Sequence, residues 1–305
     1  MNDKDKKMLH TISDIDDLPS GAYNIRKDGV GISRNITENI NIETKDDMPG
    51  INVYVKENTM FESVHIPVLL TKSGLNDLVY NDFYVGKNAT VVIIAGCGIH
   101  NDDHKTSEHD GIHRFFLESG SRVKYIEKHY GEGKGDGKKI LNPITEIHLK
   151  NNATLEMETS QIKGVDSTIR ETKAYLEENS TLTINEHIYT HGNQTAETRF
   201  EVHLDGEGSS ANVTSRSVAS EDSKQIFISN IQGNNKCFSH VECDAIILDN
   251  ATVTSIPEIT ANNVNANLIH EAAIGKIAGE QIIKLMTLGL TEKEAEQQII
   301  TGFLK

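Results

Sequence analysis

Two short groups of residues in the last quarter of the chain carry ligand chemistry. The first is Ser239-His240-Val241-Glu242-Cys243-Asp244. The second is His270-Glu271, inside Leu268-Ile269-His270-Glu271-Ala272-Ala273-Ile274-Gly275. A thiol, imidazoles and carboxylates are donors for soft and borderline metals. The pair suggests a site that holds a metal or sulfur species rather than one that cuts a substrate. Alternation along the first group puts Glu242 and Asp244 on one face of a strand and Cys243 on the other. The bland alternatives are ordinary. A free cysteine is most often a small buried hydrophobe, and Glu271 at the start of a helix would simply answer the helix dipole. The case for function is joint, because His240, Cys243, His270 and Glu271 fall near one strand-to-helix junction. Cys243, Glu271, His270, His240 and Glu242 are the candidate cofactor ligands, with Cys243, Glu271 and His270 expected on metal.

A second group is Cys97-Gly98-Ile99-His100, followed by His104, His109, Asp110 and His113. It has no paired cysteines and no HExxH, so it matches no zinc signature. Solvated loop histidines are the competing reading for His104 and His109. Gly96 and Gly98 would leave Cys97 on an exposed, flexible backbone, and a thiol there has little packing role; as a thiolate it could receive a sulfur atom. Cys237, in a polar loop, reads as incidental. The glycine-rich run from Gly131 to Gly137 fails as a phosphate loop because no Ser or Thr follows its Gly-Lys, so no nucleotide is expected on this chain; it reads as a flexible loop.

The elements that must position these residues follow from a repeat. Asn88, Gly120, Asn152, Asn179, Gly208 and Asn250 each sit between short alternating runs, separated by 32, 32, 27, 29 and 42 positions. Asn and Gly tolerate positive φ and so suit tight turns. A β repeat of this period predicts a stacked solenoid, a mainly β chain with a right-handed parallel β-helix core; a β-sandwich is the alternative. Residues 1–20 read as a polar leader with a short helix broken at Leu18-Pro19-Ser20-Gly21, 21–80 as a small β cap, 81–268 as the β-helix and 269–305 as a helical segment. After Ala266 the pattern turns helical, with Ile274, Ile277, Ala278, Ile282, Leu285 and Met286 on one face. Gly289 ends that helix, and Thr291 with Glu294 forms a capping box that opens another through Leu304.

Composition narrows the function. Lys plus Arg total 30 against 45 Asp plus Glu, a formal charge of −15, which disfavours nucleic acid and anionic membrane surfaces. No apolar run approaches the roughly 18 residues of a membrane span, and no signal-peptide core follows the N-terminus, so a cytoplasmic location is expected. Three cysteines, Cys97, Cys237 and Cys243, make no disulfide framework.

Ser239–Asp244, Pro257, His270-Glu271-Ala272, Lys276-Ile277, Glu280-Gln281 and Leu288–Ala295 into Ile299–Phe303 resemble the C-terminal core of the SufB/SufD family of iron–sulfur cluster assembly scaffolds. Ala95-Gly96-Cys97, His109-Asp110, the repeats and Ser215-Arg216 are similar to that family's β-helix. The likeness covers roughly residues 80–305 and is most specific at the C-terminal end. The Gly-Cys-Gly-Ile-His form resembles compact archaeal and anaerobe members. The resemblance implies a non-enzymatic scaffold that assembles a transient iron–sulfur cluster and passes it to apo acceptor proteins. It implies a SufC-type ABC ATPase docked on residues 269–305, a sulfur donor, and a homodimer, or a pair with a SufD-like partner, joined along strands near 240–265. By motif, Cys243 resembles the cysteine required for cluster formation, Glu271 the glutamate beside it, His270 a histidine common to both subunit types, and Cys97 the cysteine that accepts sulfur. The surroundings of Cys97 depart from the Gly-Cys-Thr-Ala-Pro pattern of longer SufB chains. Two other readings compete: a carbohydrate-active or mononuclear metal enzyme using His100–His113, and a SufD-like structural partner that binds no cluster. Low aromatic content, 5% with no Trp, disfavours sugar platforms.

Overall fold

Corners organise this chain. Asn58, Asn88, Gly120, Asn152, Asn179 and Gly208 all adopt left-handed backbone, with φ between +53° and +73°, a conformation that Asn and Gly accept at least cost. Each stacks on the corner of the next coil. The amide of Asn88 donates to the carbonyl of Ser119, Gly120 to Asn151, Asn152 to Glu178, Asn179 to Glu207 and Gly208 to Lys236. In the computed structural model, which describes residues 3–15 and 19–304, these corners join two facing parallel sheets into a solenoid of about 8 turns, with 58% of residues in strands and 11% in helices.

Sheet one runs Ala22–Lys27, Met60–Leu70, Thr90–His100, Arg122–Glu132, Thr154–Lys163, Thr181–Thr190, Ser210–Ala219, Phe238–Ile247 and Asn267–Gly275. Sheet two runs Gly50–Val55, Asn76–Val85, Ser107–Leu117, the broken strand Lys139–Leu141 and Ile144–Leu149, then Ser167–Leu176, Thr195–Leu204, Lys224–Gly233 and Thr252–Ala261. All pairings along these two rows are parallel. At the N-terminal end, Val30–Asn35 and Ile40–Thr44 pair antiparallel and cover the first edges. Alternation sends every second side chain inward, and one apolar cluster fills the lumen from Ala22 to Cys243 through Phe83, Phe115, Leu155 and Leu182. Each fully buried Leu, Ile or Phe there contributes about 1.5–3 kcal/mol. On the outside of sheet two, Tyr54, Tyr84, Phe116, His148, Tyr175 and His203 stack in one column, with ring centroids 4.9–5.2 Å apart.

The repeat was misread at one point. Asn250 does not continue the first series of corners. Positive φ falls on Asp249, and it belongs to the opposite corner of the coil with Gly192 and Glu221. The long last step of the sequence repeat mixes these two series.

Among the described residues, three helices flank the solenoid. Asp3–Ser13 lies on the outer face of sheet one, where Met8, Leu9 and Ile12 pack on Tyr23, Ile25, Leu69 and Tyr130. Part of the break expected at Leu18–Gly21 lies outside the described residues. Gly279–Thr287 and Glu292–Phe303 pack beside the last coils, where Ile282, Ile299, Ile300 and Phe303 cluster with Tyr189, Val218, Ile246 and Leu248, and the Thr291/Glu294 capping box is formed with both reciprocal bonds. The helix expected from residue 267 onward is instead a strand to Gly275. Asn267–Gly275 pairs in register with Phe238–Ile246. An open ladder beside this segment overrides the helical preference of its His-Glu-Ala-Ala run.

Candidate functional site

Register decides which candidate residues meet. Val241 and Cys243 face the lumen, and their partners on the next strand are His270 and Ala272. His270 therefore shares the inner side with Cys243. Its Nδ1 lies 3.4 Å from Ser229 Oγ on the opposite sheet, and its buried Nε2 has no partner. Burial, then the charge of His240, pushes this imidazole down. Cys243, 2% exposed, is pushed up to about 11, chiefly by burial, with the charges of Glu186 and Asp244 adding to the shift. Glu242 and Glu271 are register partners on the outer side, and His240 Nε2 lies 3.7 Å from Glu271 Oε2 there. Glu242 shares a hydrogen bond with Asp244, which raises it. Strand alternation thus separates Cys243 and His270 from His240, Glu242 and Glu271. Among the described residues no three His, Cys, Asp or Glu side chains converge as a metal site. Cys243 and His270 lie on the strands at the open end of the solenoid.

The histidine-rich segment divides in the same way. His104 is solvated, bonded to Asp136 at 2.5 Å. His100 lies at the surface between Asp102, 2.8 Å, and Glu132, 3.1 Å. Asp110 bonds Asn142 at the surface. His109 and His113 are buried in the lumen, which overturns the solvated reading for His109. Cys97 is also inside, 4% exposed. Gly96 and Gly98 do not loosen its backbone. They turn outward under the N-terminal helix, where a Cβ on Gly96 would meet the Ile12 carbonyl oxygen at 2.2 Å and one on Gly98 the Met8 sulfur at 2.5 Å. The Gly131–Gly137 run is held too. Gly135 and Gly137 donate to the carbonyls of Asn101 and Asp103, stacking this loop on the one before it. Cys237 is buried at a corner and packs on Gly233.

Between the two cysteines lies a row of polar side chains that sequence reasoning missed. Ala95, Glu127, Thr159, Glu186, Ser215 and Cys243 are successive register partners across sheet one, all pointing into the lumen. Five strand spacings separate the ends of this row, about 24 Å. Arg170 reaches in from sheet two, with Nη1 2.5 Å from Glu127 Oε2 and Nε 3.4 Å from Glu186 Oε1. Its Nη2 lies 3.2 Å from His129 Nδ1. Tyr125 donates to Glu127 at 2.9 Å, so the bond between His113 and the phenol, 2.6 Å, comes from the histidine Nδ1–H. Thr198 and Ser215 donate to Glu186 at 3.1 and 2.9 Å. Burial opposes charge on both glutamates. His129 and Arg170 outweigh it at Glu127, held well below the usual carboxylate range, while Glu186 stays raised. A positive charge, that of Arg170, thus sits midway along the row between two carboxyl groups. The legible signal was parity: Glu127 and His129 lie in phase with the buried Val123 and Tyr125, and Glu186 with Leu182 and Ile184.

No helix among the described residues is long and apolar enough to cross a membrane. A family model described as SUF system FeS cluster assembly, SufBD core domain, matches residues 81–303. An iron–sulfur cluster assembly SufBD family protein of Methanothermobacter thermautotrophicus is 30% identical over 74% of this chain and 54% of its own length. One of Pyrococcus horikoshii is 30% identical over 77% of this chain and 71% of its own, and one of Methanocaldococcus jannaschii 24% over 88% and 85%. The chain spans about half the length of its Methanothermobacter relatives. From the solenoid and these matches together, the chain belongs to the SufBD family of iron–sulfur cluster assembly proteins.

Proposed function

We propose that this chain is a scaffold on which an iron–sulfur cluster is built as cargo, at Cys243, from sulfur that enters at Cys97. The observation that carries the reading is the internal row: it runs about 24 Å from Ala95, two residues from Cys97, through buried Glu127, Thr159, Glu186 and Ser215 to Cys243. Cys243 and His270, with its unpartnered Nε2, supply a thiol and an imidazole. Clusters are ordinarily held by several thiolates, so a donor set this sparse suits a cargo that must leave for acceptor proteins. A second copy would complete it across a two-fold axis. The last strands, Thr252–Ala261 and Asn267–Gly275, are open edges carrying the exposed Ile256, Ile259, Ile269 and Ile274, and pairing there would bring two Cys243 sites together. The exposed Ile283 and Leu288, 62% and 76%, fit the docking of an ATPase partner, which would supply the energy for opening and closing that interface.

Anaerobic reconstitution with iron and sulfide, in the presence of the ATPase, tests this. The wild type is expected to develop visible absorbance with acid-labile sulfide, and Cys243→Ala to remain colourless. A colourless wild type would sink the proposal, and one tightly bound zinc without sulfide would point to a mononuclear metal enzyme.

A further inference from the structure

Cys97 does not stand alone in the lumen. Asp77 and His109 are register partners on neighbouring strands of sheet two, so alternation sets their side chains beside each other facing inward. His109 Nδ1 lies 3.1 Å from Asp77 Oδ2. Arg26 grips the same carboxylate with Nη2 at 2.7 Å and Nε at 3.2 Å. Across the lumen, Cys97 on sheet one lines the same small cavity as this imidazole. With Nδ1 committed to Asp77, Nε2 is the nitrogen left to face the thiol. All three side chains are buried. Beside them is a cavity of about 10 Å³ that Cys97, His109, His113, Glu127 and His129 help to line. That volume admits about one atom beyond the thiol.

We propose that Cys97, His109 and Asp77 form a nucleophile–imidazole–carboxylate unit in which His109 holds the charge on sulfur while Cys97 takes a sulfur atom from a hydropersulfide donor. The inference rests on the reading of Cys97 as the point of sulfur entry. A buried carboxylate that fixes a histidine ring by one nitrogen leaves the other aimed at the reacting atom. The surroundings single out this ring. Burial pushes His109 down, but Cys97 and Asp77 outweigh it and carry it up to about 10. His113 on the same strand is pushed down to about 4 by burial, and burial also lowers His129 on the opposite sheet. Glu127 is paired with Arg170, and Asp77 with Arg26. His109 is therefore the cation that faces Cys97.

The step balances without an outside oxidant. Cys97, attacking as the thiolate, forms a bond to the outer sulfur of the donor, and the donor S–S bond breaks. The electron pair leaves on the donor's inner sulfur, which takes the proton the persulfide carried and departs as a thiol. A Cys97 persulfide anion remains opposite the His109 imidazolium. The donor is reduced by the two electrons that oxidise Cys97. The cavity has room for the added sulfur and for little else.

Two measurements on the full chain test the unit separately. In ring-¹⁵N histidine spectra, assigned with His109→Gln, His109 stays doubly protonated past pH 8 in the wild type, and Cys97→Ala lowers its midpoint by a unit or more. An unchanged midpoint overturns the pairing. With cysteine hydropersulfide as donor, intact mass shows one sulfur added to the wild type and none to Cys97→Ser. His109→Gln slows that addition by about 100-fold near pH 7, and its rate climbs with pH where the wild-type rate is flat. Addition to a folded His109→Gln at the wild-type rate and profile overturns the role of His109. A coupled His109 titration without sulfur on the wild type overturns sulfur entry at Cys97, the reading beneath the proposal.

Discussion

Arg170 brings a permanent charge into the lumen and meets two carboxylates there, Glu127 and Glu186. Removing one partner of a buried ionic group leaves the others uncompensated, which costs far more than the intact group contributes. Arg170→Met is expected to destabilise the chain by about 3–5 kcal/mol in urea unfolding, and adding Glu127→Gln should recover part of the loss. A cost below about 1 kcal/mol would mean that water reaches the row and screens it. Residues of this kind were the least legible in the sequence. Strand alternation is read by assuming that polar side chains point outward, and Glu127, His129, Arg170 and Glu186 break that assumption. Cys97 and Cys243 drew attention because they are thiols; alternation set Cys243 apart from Glu242 and Asp244, but the flanking glycines pointed to an exposed Cys97, which is buried. His270 was singled out by type, but its place on a strand beside Cys243, with Glu271 turned away, depended on a pairing partner 29 positions earlier.

The N-terminal helix docks through Met8, Leu9 and Ile12, and two glycines beneath it allow the close approach. Gly96→Ala puts a methyl group within 2.2 Å of the Ile12 carbonyl oxygen, a backbone atom that cannot rotate away. Such overpacking costs about 1–3 kcal/mol. We expect it to appear as lost hydrogen-exchange protection across Asp3–Ser13, with the strands of the central coils unchanged. Equal loss everywhere would show that helix and solenoid unfold as one unit. The two glycines were visible in the sequence, but flexibility and close approach demand the same residue, and only the packing tells them apart. The Thr291/Glu294 capping box was readable because all its parts lie within four residues; the strand Asn267–Gly275 was not, because its determinant is an exposed edge made elsewhere in the chain.

A solenoid is held together coil against coil, so its ends are its weakest parts. Thr252–Ala261 and Asn267–Gly275 each have a ladder partner on one side only. In dilute protein their amides should exchange at least about tenfold faster than those of Thr181–Thr190, and protection should rise with concentration if two copies pair along these edges. Fast exchange that ignores concentration would count against the proposed dimer. The corner repeat made the stacked architecture legible, since Asn and Gly announce left-handed turns locally. The opposite corners hid because Glu221 and Asp249 adopt the same conformation without the usual residue types.

The corners also give the lumen a system of addresses. Counting from Asn88, Gly120, Asn152, Asn179 and Gly208, the seventh residue of each coil is Ala95, Glu127, Thr159, Glu186 and Ser215, and the ninth is Cys97, His129, Gln161, Ile188 and Ser217. The same count from Lys236 reaches Cys243 and Ala245. Any interior depth can therefore be named by coil and position. A single cysteine written at Thr159 or Ser215 would serve as a mark on a molecular ruler, spaced about 4.8 Å per coil, against which the travel of a sulfur atom can be measured.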